Sequence, residues 1–210
     1  MPYVITTKVY AQPTKQGELR ALLEGRVRDG QKAGFRLNLA TTALGADPSF
    51  FVNLFCADLA KADEFRASTQ FPANDPAFMG KVTQLVRQPA QNQLLQVLSS
   101  PPPAGSPPRY NLVGRIVGQP AHVLDVLDMV RSRVQEEQAA GARVGLSRVV
   151  AGEPGLRVAR QFGSMAELET WIAATESDAS RLQFVRKLTP MLAEPVQYEV
   201  REVLIAMPPA

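Results

Sequence analysis

The chain has 210 residues, 45% of them hydrophobic and 20% charged, with a formal net charge of +3, a composition that excludes a disordered segment and suffices for one large or two small cores. Lysine and arginine are dispersed along the sequence, so no row of cations is available to neutralise a phosphate backbone and nucleic acid is excluded as a partner. A single cysteine, Cys56, allows no internal disulfide, and with no apolar run of roughly 18 residues and a start, MPYVITTKVY, unlike a signal peptide, the chain is expected in the cytoplasm without a membrane partner.

In chain order, Tyr3 to Tyr10 is rich in β-branched and aromatic residues and ends at Gln12-Pro13, which predicts a first strand. Proline stops the strand and presets the backbone for a first helical turn, where its missing donor is no loss. Leu19, Leu22, Leu23 and Val27 then mark one apolar helix face, and the helix stops at Ala33-Gly34, with glycine as the left-handed cap. Two strands follow, Arg36 to Leu44 and Phe50 to Phe55, around a Gly-Ala-Asp-Pro turn. Asp58 caps a second helical region that is broken near Pro72 and resumes after Asp75-Pro76, and a last strand runs through Val97.

Ser99 to Arg109, SSPPPAGSPPR, excludes a helix interior or a central strand and reads as a semi-rigid linker that can span roughly 30 Å. Beyond it the pattern restarts. An offset of 107 places Tyr3 on Tyr110, Gln12-Pro13 on Gln119-Pro120, Val27 on Val134, Ala33-Gly34 on Ala140-Gly141 and Phe55 on Phe162. After one deletion near Cys56 the offset is 106, with Phe78 on Phe184 and Pro89 on Pro195. The second copy predicts strands at 110–117, 143–150 and 156–162, a helix face of Val126, Met129, Val130 and Val134, and a capping box at Ser164 and Glu167.

Strand, helix, strand, strand, helix, strand is the split βαβ order of a ferredoxin-like domain. The expected fold class is therefore α+β, with repeats at 1–98 and 110–210 and the linker at 99–109. One sheet face of each repeat is covered by its own helices and the other needs a partner sheet, which the second copy supplies. On these features, the element order, the Ala-Gly helix stop and the duplication, the chain resembles the dimeric α+β barrel superfamily, and in particular tandem, antibiotic-biosynthesis-monooxygenase-like members. The resemblance implies two ferredoxin-like βαββαβ repeats packed sheet to sheet, a pseudo-dimer within one chain whose exposed edges allow further oligomerisation. It also points to a cofactor-independent, monooxygenase-like activity on a small aromatic or polyketide-like substrate, with a noncatalytic ligand-binding or structural protein of the same fold as the alternative. Haem-degrading relatives use a histidine on a later helix and an asparagine on the first strand. Asn111 matches the second but no histidine matches the first, so no haem or other cofactor is expected.

The residues that carry chemistry are few. His122 stands in the first turn of the second long helix and reads as an exposed helix-start residue, and no His/Cys/Asp/Glu grouping has metal-ligand spacing. Cys56 reads as an inert buried thiol and Trp171 as core packing in the position of Phe65. Alternation along the strands puts Tyr3, Ile5, Thr7 and Val9, with Tyr110, Leu112, Gly114 and Ile116, on the helix-facing side, and Lys8, Arg115, Arg36 and Arg143 on the other. Those cations predict either a polar layer paired with Glu199 and Glu202 or a site for an anionic ligand. Thr7 is replaced by Gly114 and Phe35 by Ala142, which predicts a cavity in the second half unless Met129 or Trp171 fills it, with Tyr110 and Tyr198 as walls. The predicted ligand-binding set is Tyr110, Gly114, Arg115, Ala142, Arg143, Trp171 and Tyr198, for a small aromatic or anionic ligand.

Overall fold

The first strand, β1 (Tyr3–Tyr10), puts Ile5 and Val9 against the apolar face of α1 (Gln16–Lys32), where Leu19, Leu23 and Val27 are buried. β2 (Leu37–Leu44), β3 (Ser49–Cys56), α2 (Leu59–Ala67), α3 (Pro76–Leu85) and β4 (Gln91–Ser99) follow, then β5 (Tyr110–Ile116), α4 (Val123–Ala139), β6 (Val144–Ala151), β7 (Leu156–Phe162), α5 (Met165–Glu176), α6 (Ala179–Leu188) and β8 (Gln197–Ile205). This computed structural model describes residues 2–44, 48–102 and 106–208. Part of the predicted Gly-Ala-Asp-Pro turn and of the linker, 45–47 and 103–105, lies outside the described residues. The chain divides into two compact units: the first runs to Val97 and takes in Val150–Gly152 and the stretch from Arg201, and the second holds Leu98–Val149 and Glu153–Val200.

In the first unit the strands are antiparallel in the order β4-β1-β3-β2, with Tyr3 opposite both Cys56 and Gln96 and Leu37 opposite Leu54. One face packs Val9, Leu37, Leu39, Phe50, Leu54 and Cys56 on α1 and Ala62 of α2. The other face carries a polar chain: the Thr6 hydroxyl donates to Asn53 at 2.8 Å, and the Asn53 amide donates to Asn38 at 2.7 Å. Lys8 lies on that side too, its ammonium 5.2 Å from the ring centres of Tyr10 and Phe51.

In the second unit β8 lies beside β5, followed by β7 and β6. Tyr110 stands opposite Phe162 and Val144 opposite Arg160. Its core sets Ile116, Val144, Leu146, Leu156 and Val158 against Val126, Val130 and Val134 of α4 and Leu188 of α6.

Several local devices recur. Gln12 donates its side-chain amide to the carbonyls of Gln84 and Val86, both at 3.2 Å, and Gln119 does the same to Pro190 and Leu192, both at 3.1 Å. The glutamine of each Gln-Pro pair thus ties the end of the first strand to the segment that leads into the last one. Gly34 and Gly141 close the long helices with φ of 89° and 87°, and their amides donate to Gln31 and Gln138.

Four expectations need correction. β2 begins at Leu37 and β6 at Val144, so Arg36 and Arg143 precede their strands, and Arg36 is exposed. The second helical region is broken in the second unit as well: Asp178 accepts from the amides of Ser180 and Arg181 and starts α6 afresh, a break that no proline signals. In the box at α5, Ser164 accepts from the Glu167 amide at 3.1 Å, but Glu167 reaches back to the amide of Gly163 instead of Ser164. Finally, Cys56, not Phe55, is the counterpart of Phe162, since these residues face Tyr3 and Tyr110 respectively. By strand register the second strands thus match at an offset of 107 and the third strands at 106, and a slip of one residue reverses which face each side chain takes.

Candidate functional site

A cavity of about 490 Å3 lies in the second unit, between the helix-facing side of its sheet and helices α4 and α6. Its apolar part is built by Ile116 and Val158 of the sheet, Val130 and Val134 of α4, and Phe184 and Leu188 of α6. The polar wall is Arg133 and Glu137 of α4, Arg160 of β7, Arg181 of α6 and Tyr198 of β8. Helical spacing explains the first group: 130, 133, 134 and 137 share one face of α4. Strand alternation explains Arg160, two residues after the buried Val158 and on its side of β7.

The wall is held by a compact ion-pair network. Arg160 donates twice to Glu137, from Nε and Nη2, each at 2.9 Å, and both side chains are only 14% exposed. Arg133 adds a bond from Nε to Glu137 at 3.2 Å and one from Nη2 to Asp178 at 3.3 Å. Paired forks of this kind fix geometry as well as energy. Behind the wall, Trp171 presents its ring to two guanidinium groups, 5.0 Å from Arg160 and 4.4 Å from Arg181, and its ring centre lies 6.0 Å from that of Phe162.

Of the sequence-predicted residues, Gly114 and Tyr198 line this cavity. They touch: a Cβ on Gly114 would stand 3.1 Å from Tyr198 Cε1. In the first unit the matching positions are Thr7 and Asn92, which face each other and share a 2.7 Å hydrogen bond. A small-large pair stands where the first unit has two residues of middle size, and the ring of Tyr198 lies over the glycine.

Tyr110, Arg115, Ala142, Arg143 and Trp171 are not among the lining residues. Arg115 is paired with Glu194 and, at 3.2 Å, with Glu153. Arg143 donates from Nη2 to the Ser106 carbonyl at 3.3 Å and to Gln161 at 3.1 Å. Tyr110 lies at the start of β5 with Arg109 5.4 Å from its ring centre, and Ala142 packs at the edge of the core. Sequence reasoning missed Arg133, Glu137, Arg160 and Arg181. By strand register Arg160 takes the place that the buried Leu54 has in the first unit, and Glu137 the place of Gly30 on the long helix, charged residues where the first unit is apolar.

The Gly114→Thr substitution should cost roughly 1 kcal/mol, because the exposed Tyr198 can swing aside while overpacking in the sheet is limited. Ligands of the cavity should lose affinity, as measured by titration calorimetry. Ala142→Phe should leave them unaffected.

No family model matches the chain, and no curated protein matches it in sequence. Solved structures do match. A provisionally named monooxygenase of Fusobacterium nucleatum subsp. nucleatum is similar with a TM-score of 0.74 at 10% identity, over 97% of this chain and 92% of that one. One from Lactobacillus acidophilus gives 0.70 at 9%, over 98% and 96%, and an anthrone oxidase-like protein 0.66 at 14%, over 97% and 91%. The chain has the dimeric α+β barrel fold. Some enzymes with the dimeric α+β barrel fold hold haem through a histidine. The chain's one histidine, His122, is half-buried, lies 3.4 Å from Asp125 and does not line the cavity, so no histidine is placed to hold a haem there. Among the described residues no group of three or more His, Cys, Asp or Glu could hold a metal ion, and no helix is long and apolar enough to cross a membrane. Cys56 is buried; burial pushes its thiol up, and Asp58 adds to the shift.

Proposed function

We propose that the chain is a tandem of two ferredoxin-like repeats, 1–98 and 110–210 on either side of the 99–109 linker, forming one pseudo-dimeric barrel in the cytoplasm. Its second repeat binds a small aromatic or polyketide-like compound and oxidises it as a cofactor-independent, monooxygenase-like enzyme. The observation that carries this reading is the cavity of about 490 Å3, lined by apolar side chains together with a polar wall that ion pairs hold. Its size suits a ligand of two or three fused rings. The names of the similar structures, monooxygenase and anthrone oxidase-like, support the reaction class.

Such chemistry asks little of the side chains. A methylene between two aryl rings loses a proton, the resulting enolate passes electrons to dioxygen, a carbon–oxygen bond forms, and loss of water leaves a carbonyl: CH2 + O2 gives C=O + H2O. The site would contribute desolvation, orientation and stabilisation of enolate charge by its guanidinium groups. Anthrone is the test substrate. Oxygen uptake matched mole for mole by anthraquinone, well above spontaneous oxidation and diminished in Gly114→Thr, is the expected result.

Noncatalytic binding is the second reading, favoured by one observation: Glu137, the carboxylate facing Arg160 in the wall, is held by two arginines and is no free base. Uptake no faster than in buffer, with a ligand that still raises the melting temperature, would decide for it.

A further inference from the structure

We propose that Arg181 is the anion-recognition residue of the cavity, so that its ligand is a planar aromatic compound bearing an anionic oxygen. This rests on the reading of the cavity as a small-molecule site and narrows the class of molecule it takes. The argument begins with the charges in the wall. Three guanidinium groups, on Arg133, Arg160 and Arg181, line it, and two carboxylates, Glu137 and Asp178, hold the first two. The other lining carboxylate, Glu194, is paired with Arg115. Among the described residues the Arg181 guanidinium forms no hydrogen bond or ion pair. Its near neighbour is the Trp171 ring, with the guanidinium carbon 4.4 Å from the ring centre, a cation–π contact that leaves its N–H donors without an oxygen acceptor.

Burial pushes Arg181 below its ordinary pKa, with Arg160 and Arg133 adding to the effect while Tyr198 and Glu137 oppose it. A cation that is partly desolvated, flanked by two others and short of a counter-charge is stabilised by an arriving anion. A carboxylate meets its planar fork in two parallel bonds, and an enolate oxygen accepts from its N–H groups singly, while the ring system occupies the space between Val130, Val134 and Phe184.

Titration calorimetry with 2-naphthoate and the near-isosteric, neutral 2-naphthamide tests this. Wild-type protein should bind the acid about tenfold or more tightly than the amide, a difference expected of a charge-assisted bidentate pair. In Arg181→Gln the ratio should fall to about one with the amide affinity retained, which also shows that the variant is folded. In Arg181→Lys part of the preference should survive. Equal affinity of acid and amide in the wild type, or an unchanged ratio in Arg181→Gln, would overturn the proposal. If Arg181→Gln does not fold, the wild-type ratio and Arg181→Lys decide it. Amide binding without preference for the acid refutes the role of Arg181 alone, whereas failure of both compounds and of anthrone to bind refutes the small-molecule reading with it.

Discussion

Gly155→Ala should destabilise the protein by roughly 3 kcal/mol, and in a chain of this length lower the melting temperature by about 6–12 °C. Gly155 has a φ of 122°, a region that only glycine occupies freely. Space is closed as well: a Cβ there would stand 2.5 Å from the Ile116 carbonyl oxygen and 3.0 Å from Val117 Cγ2. The carbonyl belongs to backbone and cannot move without disturbing β5, and Gly155 itself accepts a bond from the Val149 amide at 3.0 Å across the turn. Gly141→Ala is the comparison. Its φ of 87° also disfavours a side chain, but nothing lies within 4 Å of the added atom, so the cost should stay near 1 kcal/mol. Thermal unfolding of both variants measures the difference, and similar losses would show that backbone conformation alone sets the cost at Gly155.

Much of the element order was legible because its signals are local. Gln-Pro, Ala-Gly and the i, i+3, i+4 spacing of Leu19, Leu23 and Val27 need only neighbouring residues to act, and each is realised at the position predicted. The side-chain role of Gln12 and Gln119 was not legible, since their acceptors lie 72 to 74 and 71 to 73 residues away. The break before α6 was hidden because Asp178 starts the helix by capping alone, without the proline that marks Asp75-Pro76.

The candidate site was half legible. A missing side chain, Gly114, announces space, and the sequence does not say that Tyr198 leans over it. The arginines proposed for an anion, Arg115 and Arg143, were chosen by parity along strands; Arg143 precedes its strand, and Arg115 is held by Glu153 and Glu194. The charged wall escaped notice because an offset of 107 kept through the third strand, up to Cys56, aligns Arg160 with Asn53, polar with polar, whereas strand register matches it to Leu54. Register, not composition, carried that information.

That match leads to the second large effect. In the first unit Leu54 is buried opposite Leu37, and Gly30 makes room for Leu37. In the second, Arg160 and Glu137 stand at those places as an ion pair, each 14% exposed. Glu137→Ala leaves Arg160 without its carboxylate in a mostly dry wall, while Arg133 keeps Asp178. A loss of roughly 2–4 kcal/mol is expected, most of it the cost of an uncompensated charge and not the worth of the pair. The double variant Glu137→Ala with Arg160→Leu restores the apolar character that the first unit already accommodates, and it should unfold within about 1 kcal/mol of the wild type, since a buried ion pair and a packed apolar pair are often equivalent in stability. Urea unfolding of the two single variants and the double gives the coupling energy directly. If the double variant is as unstable as Glu137→Ala, the wall is needed for packing in its own right. If it recovers, the pair adds little to stability, and its retention fits a wall whose task is to hold Arg160 in place beside Trp171 and leave Arg181 as the open cation.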